Sequence, residues 1–472
     1  MTEKTVKVSI AINLNDVQAG EWKKEISVEQ IDMEIKQLMM EAGSGVLGQA
    51  LETVDEGIRR EISTKWENVG REERTLITIM GKVKYKRRVY VDEKGKRHKP
   101  LDEKLGLPKY QRETNAVCML GAYLASQNSY RDAAEELSYM VEEPITHSKI
   151  QRVVWGVGNS LADHERATLE QWDEEAEELI EERELYGESD GVMIRLQREA
   201  KRKTEVRVGI MYTGKKVIGK GRRRLENKVW LTRIGVDGKE WREALQHLAY
   251  RTYGMEQVKQ MIVGGDGASW VKHSFDWLWV KRQTFVLDRF HLYRAGKRAL
   301  QGDGIRMINQ ICEHGIESVE AELAAIIHTA RGKRKERLKK FWNYLQSNRD
   351  GLQDLEYRKG EWQSKSLGAI EGNVDKLVAR RMKGHGRSWR IPGARAMLAL
   401  CSHRQALRNC AYSLGLFKKL IGSTKSNKSK LAQADWMQVN MPIFSSSFRE
   451  TPWVKDLRNK IRTKRVLSMD YF

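Results

Sequence analysis

The chain has 472 residues, 40% of them apolar, and carries 85 Lys and Arg against 64 Asp and Glu, a net charge of +21. That composition suits a globular protein of several domains and excludes disordered and collagen-like classes. The cationic excess points to a polyanion such as nucleic acid, because each neutralised phosphate releases condensed counterions, and the lack of any run of about eighteen apolar residues excludes a membrane-spanning helix.

Residues 1–70 are expected to be a helical N-terminal region; its opening, MTEKTVKVSIAINLND, lacks the charged-then-apolar order of a signal peptide. The stretch from Val28 to Thr64 repeats apolar residues at helical spacing, with Gly43, Gly45 and Gly48 as interruptions. Residues 71–115 read as a small basic β element, with short strands around a Gly turn and a second turn at Glu93-Lys94-Gly95. Residues 116–160 read as helix-turn-helix-like. SYRDAAEELS (129–138) is amphipathic, and a second helix follows Pro144, capped by Thr146 or Ser148. Its Ser148, Lys149, Gln151 and Arg152 are the candidates for reading DNA from a major groove.

Residues 161–185 are expected to form an acidic linker helix. From 186 to 395 the pattern becomes β-β-β-α-β-α-β-α, the order of an RNase H-like α/β core with a mixed sheet. YGESDGVMIRL, EVRVGIMYTG and NKVWLTRIG form an antiparallel meander, and EWREALQHLAYRTYG (240–254) is a helix closed by Gly254. KQMIVGGDGASW is a buried strand, WVKHSFDWLW a helix, and QTFVLDRFHLYR a strand running into a helix. The charged helical segment of about 295–365 is too long for a minimal core and reads as an insertion. Residues 396–472 form a basic C-terminal region. Four scattered cysteines, at 118, 312, 401 and 410, give no disulfide framework and suit a reducing, cytoplasmic setting.

Two carboxylates stand out. Asp190 sits within an apolar-flanked strand beside Gly191, where a lone buried charge is costly. Asp266 ends a buried strand between glycines, at the end of an α/β sheet where ligand sites form. Neighbouring strands would bring the two together, and close carboxylates repel unless a cation lies between them. Oxygen ligands suit magnesium or manganese. Glu371 opens a helix that packing on the sheet would aim at the same point. Two metal ions held by Asp190, Asp266 and Glu371 would support phosphoryl transfer on DNA. Asp288 and His291 in VLDRFHLYR are accessory candidates, and Asp288 is the rival for a ligand position. Downstream of Glu371, Lys376, Arg380, Arg381, Lys383 and Arg387 are candidates for phosphates, and Trp389 either stacks on a base or belongs to the core. Gly209, Gly214 and Lys215 match a phosphate-binding loop, but Lys216 stands where its Ser or Thr is required.

SDGVMI, GGDGASWVK, VLDRFHLYRA and IEGNVDKLVARRMKGHGRSW, with GKVKYKRRVYVDEKGK, PLDEKLGLPKY and SYRDAAEELS upstream, resemble the ISLre-type insertion-sequence transposases over about residues 70–400. The resemblance implies a DDE-type transposase with an interrupted RNase H-like domain, distantly Mutator-like. It implies Asp190, Asp266 and Glu371 as the acidic triad. The expected partners are element ends and target DNA, with a homo-oligomer assembled on DNA. The alternatives are a domesticated DNA-binding protein without catalysis and a nuclease that cuts without joining.

Overall fold

A computed structural model of the chain describes residues 28–62, 65–170, 179–220, 222–300, 304–352 and 367–413. The readings of residues 1–27 and of the tail from 414 onward lie outside the described residues. The chain divides into two compact units, at Val157/Gly158 and again at Ala406/Leu407.

The first unit begins with α1 (Val28–Ile58), one 31-residue helix. The glycines read as interruptions do not break it. Gly48 instead lets the helix approach a strand, since a Cβ there would lie 2.8 Å from the Lys84 carbonyl oxygen. That strand is β2 (Gly81–Val91), paired antiparallel with β1 (Glu67–Thr78) and with the short β3 (Arg97–His98). Alternating residues of β2 bury Val83 and Tyr85 against Leu76, Ile58 and Leu101, the last on α2 (Pro100–Leu105). Much of the basic character of this element is internal. Arg74 and Arg87 reach the buried Asp102 at 2.6 and 2.8 Å, and Arg88 reaches the buried Asp55 at 2.8 Å.

Three helices follow: α3 (Asn115–Gln127), α4 (Tyr130–Val141) and α5 (His147–Glu170). Ser129 caps α4 through the Asp132 amide, and Thr146, not Ser148, bonds the Lys149 amide at the start of α5. Of the expected acidic linker helix over 161–185, residues up to Glu170 continue α5, residues 171–178 lie outside the described residues, and Glu184 and Leu185 belong to a strand instead.

The second unit is a mixed α/β assembly. Its five-stranded sheet has the order β10-β9-β4-β5-β8, built from β4 (Glu184–Arg195), β5 (Lys203–Tyr212), β8 (Val229–Ile234), β9 (Gln260–Gly265) and β10 (Arg282–Leu287). β4, β5 and β8 are antiparallel, and β9 and β10 run parallel to β4. A separate hairpin, β6 (Gly214–Gly219) with β7 (Arg222–Glu226), is inserted between β5 and β8. On one face Leu185, Met211, Leu231, Met261 and Val263 pack under Trp241 and Leu245 of α6 (Gly238–Thr252). This helix starts two residues before Glu240 because Asp237 caps it through the Glu240 amide at 2.8 Å. It ends at Thr252 with Tyr253 extended, so Gly254 does not cap it. The WVKHSFDWLW segment gives only a short α7 (Ser269–Lys272) and one 3-10 turn.

Beyond β10 come α8 (Arg289–Leu300), α9 (Gly304–His314), α10 (Glu320–Thr329) and α11 (Gly332–Ser347). They enclose their own core of Leu292, Ile308, Ile311, Leu323, Leu338 and Phe341. The polypeptide returns as α12 (Ile370–Val374), a π-helical turn Asp375–Ala379 and α13 (Arg380–Met382), then α14 (Ile391–Ser402) and α15 (Arg404–Ser413). α12 packs on β4 and β5, and α14 on β8.

A partly buried ion triad pins α5 and the end of α14 to β8. Glu165 accepts from Arg233 and, at 3.0 Å, from His403. Burial opposes its charge, but Arg233 and His403 hold the carboxyl down at about 2. A depressed folded value means stability present above the unfolded carboxyl range and lost as pH falls from about 4.5 towards 2. Glu165→Gln should therefore cost roughly 1–3 kcal/mol at pH 7. In paired thermal melts, the gap between wild type and variant should close across that acid window; a gap independent of pH would show that the charge contributes nothing.

Candidate metal centre

The parallel register determines where the acids fall. Glu188 of β4 pairs with Gly264 of β9, and Gly264 pairs with Val286 of β10. Two residues further along each chain stand Asp190, Asp266 and Asp288. The period of two keeps them on the face opposite the α6 core. The alignment continues past the strand ends because the Asp288 amide donates to the Gly265 carbonyl at 2.8 Å. Each aspartate is also held locally. Asp190 Oδ1 accepts the Gly191 amide at 2.7 Å, and Asp266 Oδ1 accepts the Ala268 amide at 2.9 Å across a turn in which Gly267 has a φ of +88°. Asp288 Oδ2 accepts both the amide and Nδ1 of His291, at 3.0 and 2.8 Å, capping α8 while orienting the imidazole.

Glu371 arrives on α12, and a residue absent from the sequence reading secures it. Glu188 is buried, and its carboxylate accepts the amides of Gly368, Ala369 and Ile370 at 2.9–3.2 Å and the Tyr212 hydroxyl at 2.8 Å. An anion thus satisfies the orphan N–H groups at the start of the helix and favours its dipole. Glu371 follows one residue after the last of these amides. Its Oε1 lies 4.0 Å from His291 Nδ1.

The electrostatics are those of crowded acids. Burial raises Asp190 above the usual range, against the Gly191 amide, and the charges of Asp266 and Asp288 add to the rise. Burial and the neighbouring Asp288 push Glu371 up to about 7. Burial also works against Asp288, yet its hydrogen bonds from His291 and with Glu371 hold it below the normal carboxylate range. The hydrogen bond to Asp288 raises His291 in turn, with help from the charges of Asp288, Asp190 and Asp266. The residues fit a divalent cation on two grounds. Asp288, His291 and Glu371 each offer a ligand atom, all within 4.8 Å of one another, and Glu371 Oε1 is buried without a hydrogen-bond partner. The carboxylates suit magnesium or manganese, whereas an imidazole ligand suits softer divalent ions.

Of the expected triad, only Glu371 falls in that group: Asp288 and His291 have ligand atoms within 4.8 Å of it, while Asp190 and Asp266 border the group as charges that act on His291. Tyr344 of α11 was also missed: its hydroxyl donates to the Asp266 carbonyl at 3.0 Å. Nothing in the charged helical sequence marks Tyr344 as a neighbour of the sheet.

The candidate DNA contacts divide. Ser148, Gln151 and Arg152 are exposed on α5, and Trp155, 37% exposed, continues their i, i+3, i+4, i+7 face. Lys149 is instead half-buried and paired with Glu113. Arg380 and Lys383 are exposed, although Arg380 pairs with Asp375 at 2.6 Å and Lys383 lies beyond the helix end in extended backbone. Lys376 is half-buried and, with burial acting first, helps hold Lys228 down at about 8. Arg381 and Trp389 are corrected. Both are buried, the guanidinium lies 5.2 Å from the indole centroid, and the indole N–H donates to the Met382 carbonyl at 3.0 Å. A base cannot stack on that ring. Arg387 turns inward to the carbonyls of Arg380 and Arg381, closing the helix end.

Among the described residues, no helix is long and apolar enough to cross a membrane. The chain is 26% identical over 424 residues to "UPF0236 protein in vanSb 3'region" of Streptococcus gallolyticus, covering 86% of this chain and 90% of that protein. A UPF0236 protein of Caldanaerobacter subterraneus subsp. tengcongensis is 24% identical over 389 residues, covering 80% of this chain and 78% of the relative, under a name that joins eleven locus designations. A further UPF0236 protein of that organism is 24% identical over 388 residues, with 80% and 74% covered. Residues 21–409 match the uncharacterised protein family UPF0236, and the chain belongs to that family.

Proposed function

We propose that this protein is a DDE-type transposase of an insertion sequence, with an RNase H-like catalytic core that cuts and joins DNA at element ends. The observation that carries the reading is the row of Asp190, Asp266 and Asp288 along three neighbouring parallel strands, with His291 and Glu371 brought within ligand distance of Asp288. A half-buried acidic row has little structural use and a clear use beside phosphate, with cations between the two. The β-β-β-α-β-α-β-α order supports the core, once the inserted hairpin is set aside. The ISLre-type resemblance supports the class of reaction. A relative whose single name joins eleven locus designations fits a gene that multiplies within a genome.

Asp190, Asp266 and Glu371, with Asp288 competing for a place, would hold two magnesium or manganese ions. When bound, such ions supply Lewis acidity at phosphoryl oxygens and lower the pKa of an attacking water or 3′-hydroxyl. The chain's own residues prepare the site. Asp288 orients His291, Glu188 fixes the helix that bears Glu371, and Glu371 can carry a proton near neutrality until a cation displaces it. The exposed α5 face of Ser148, Gln151, Arg152 and Trp155 would read element ends, and assembly on paired ends would make a homo-oligomer.

The test uses the purified full chain, labelled duplexes taken from the DNA flanking its gene, and a target plasmid. Magnesium or manganese should yield joined product. Asp190→Ala, Asp266→Ala and Glu371→Ala should each abolish product while retaining end binding. Cut but unjoined DNA would replace the reading by a nuclease, and binding without cutting would leave a DNA-binding protein.

A further inference from the structure

The β6–β7 hairpin belongs to neither the sheet nor the metal centre. Its base is firmly held: the Thr213 amide donates to the Glu226 carbonyl at 3.0 Å, the Asn227 side chain reaches Thr213 at 3.0 Å, and the Tyr253 hydroxyl reaches the Asn227 carbonyl at 2.6 Å. Beyond that base it forms a two-stranded sheet of its own. An isolated two-stranded ribbon is marginal in water. This one adds self-repulsion, with Lys215, Lys216, Lys220, Arg222, Arg223 and Arg224 against the single acid Glu226. Lys216, Lys220, Arg222 and Arg223 are exposed, and within β6, where the register with β7 shifts, Val217 and Ile218 are 68% and 54% exposed. A ribbon kept only for solubility would carry polar residues at those positions. Cations along both arms and an exposed apolar pair on one of them are complementary to one occupant: the groove of a DNA duplex, with phosphates on either side and base edges at its floor.

We infer that the β6–β7 hairpin is a DNA-binding arm, whose basic strands contact the phosphates of a duplex while Val217 and Ile218 pack against the bases in its groove. A two-stranded ribbon fits the major groove, and exposed apolar side chains wedge between base steps where the minor groove is opened. The inference rests on the proposed DNA reading and adds a contact surface that the metal centre and α5 do not supply.

The experiment measures binding of the full chain to a labelled 30-base-pair duplex by fluorescence anisotropy across a salt series, without divalent metal. In the variant K216A/K220A/R222A/R223A, the slope of log affinity against log salt should fall by about 3–4, at roughly 0.9 per lost phosphate contact. Its melting temperature should stay unchanged, because all four side chains lie outside the core. In V217S/I218S the slope should hold while affinity falls several-fold. An unaltered slope in the quadruple variant, with the wild type still binding, would overturn the arm and leave the transposase reading intact. Unaltered affinity in the double variant would overturn the packing of Val217 and Ile218 on the bases. A wild type that does not bind duplex at all would overturn both the arm and the DNA reading.

Discussion

Replacing Asp288 by Asn is expected to lower metal-dependent DNA cleavage by about 10²–10³-fold or more, as severely as Asp190→Asn. That is the range for losing one fixed charge aimed at a phosphoryl transition state. Asparagine caps helices as well as aspartate does, so the start of α8 survives the change and the experiment isolates charge from folding. It also releases His291, whose raised pKa depends first on its hydrogen bond to Asp288. Single-turnover cleavage with a parallel thermal melt decides the matter. If the melt and the rate both match wild type, Asp288 is only a cap and the metal ligands are Asp190, Asp266 and Glu371 alone. If the rate collapses with the melt unchanged, Asp288 joins them.

The second large effect is expected at Glu188. In Glu188→Gln the carboxamide can accept with one atom but turns two donor hydrogens towards the amides of Gly368, Ala369 and Ile370. The loss should be roughly 1.5–3 kcal/mol, the scale of a hydrogen bond to a buried charge, seen as a lower melting temperature. A purely structural role would stop there. A positioning role predicts in addition that the metal concentration for half-maximal cleavage rises at temperatures well below the melt, while duplex affinity stays the same. An unshifted metal dependence in the folded variant would reduce Glu188 to a helix anchor.

The sequence reading reached the strands that carry Asp190, Asp266 and Asp288 because each is a short apolar run ending at a glycine or a polar break. It could not supply the register. Only the pairing of Glu188 with Gly264 and of Gly264 with Val286 places Asp288 beside the other two. Glu188 was passed over because a glutamate two residues before a candidate aspartate has no local signature; its partners are about 180 residues away. Trp389 was left open between base and core. A tryptophan after a Gly-His-Gly loop looks available, but its backbone bonds to Arg195 at 3.0 Å and adds to the end of β4, and the ring lies in the core. The glycines of α1 show the limit of propensity: Gly48 costs helix stability locally, and close packing on β2 compensates. The basic hairpin was considered only as a failed nucleotide loop, since six cations on alternating short strands leave no apolar periodicity to follow.

The separate core of α8–α11 has a consequence for how such proteins can diverge. Asp288 takes its position from main-chain pairing before that bundle begins, and Glu371 takes its position from a clamp on β4 after it ends. α8 supplies His291, and α11 reaches back through Tyr344 to Asp266 and through Ser347 to Lys272. Among the described residues, α9 and α10 give no hydrogen bond to the acids, so they are the replaceable part of the stretch. Descendants of one ancestor can lengthen, shorten or exchange them, and so change what the protein touches, without disturbing the row of acids.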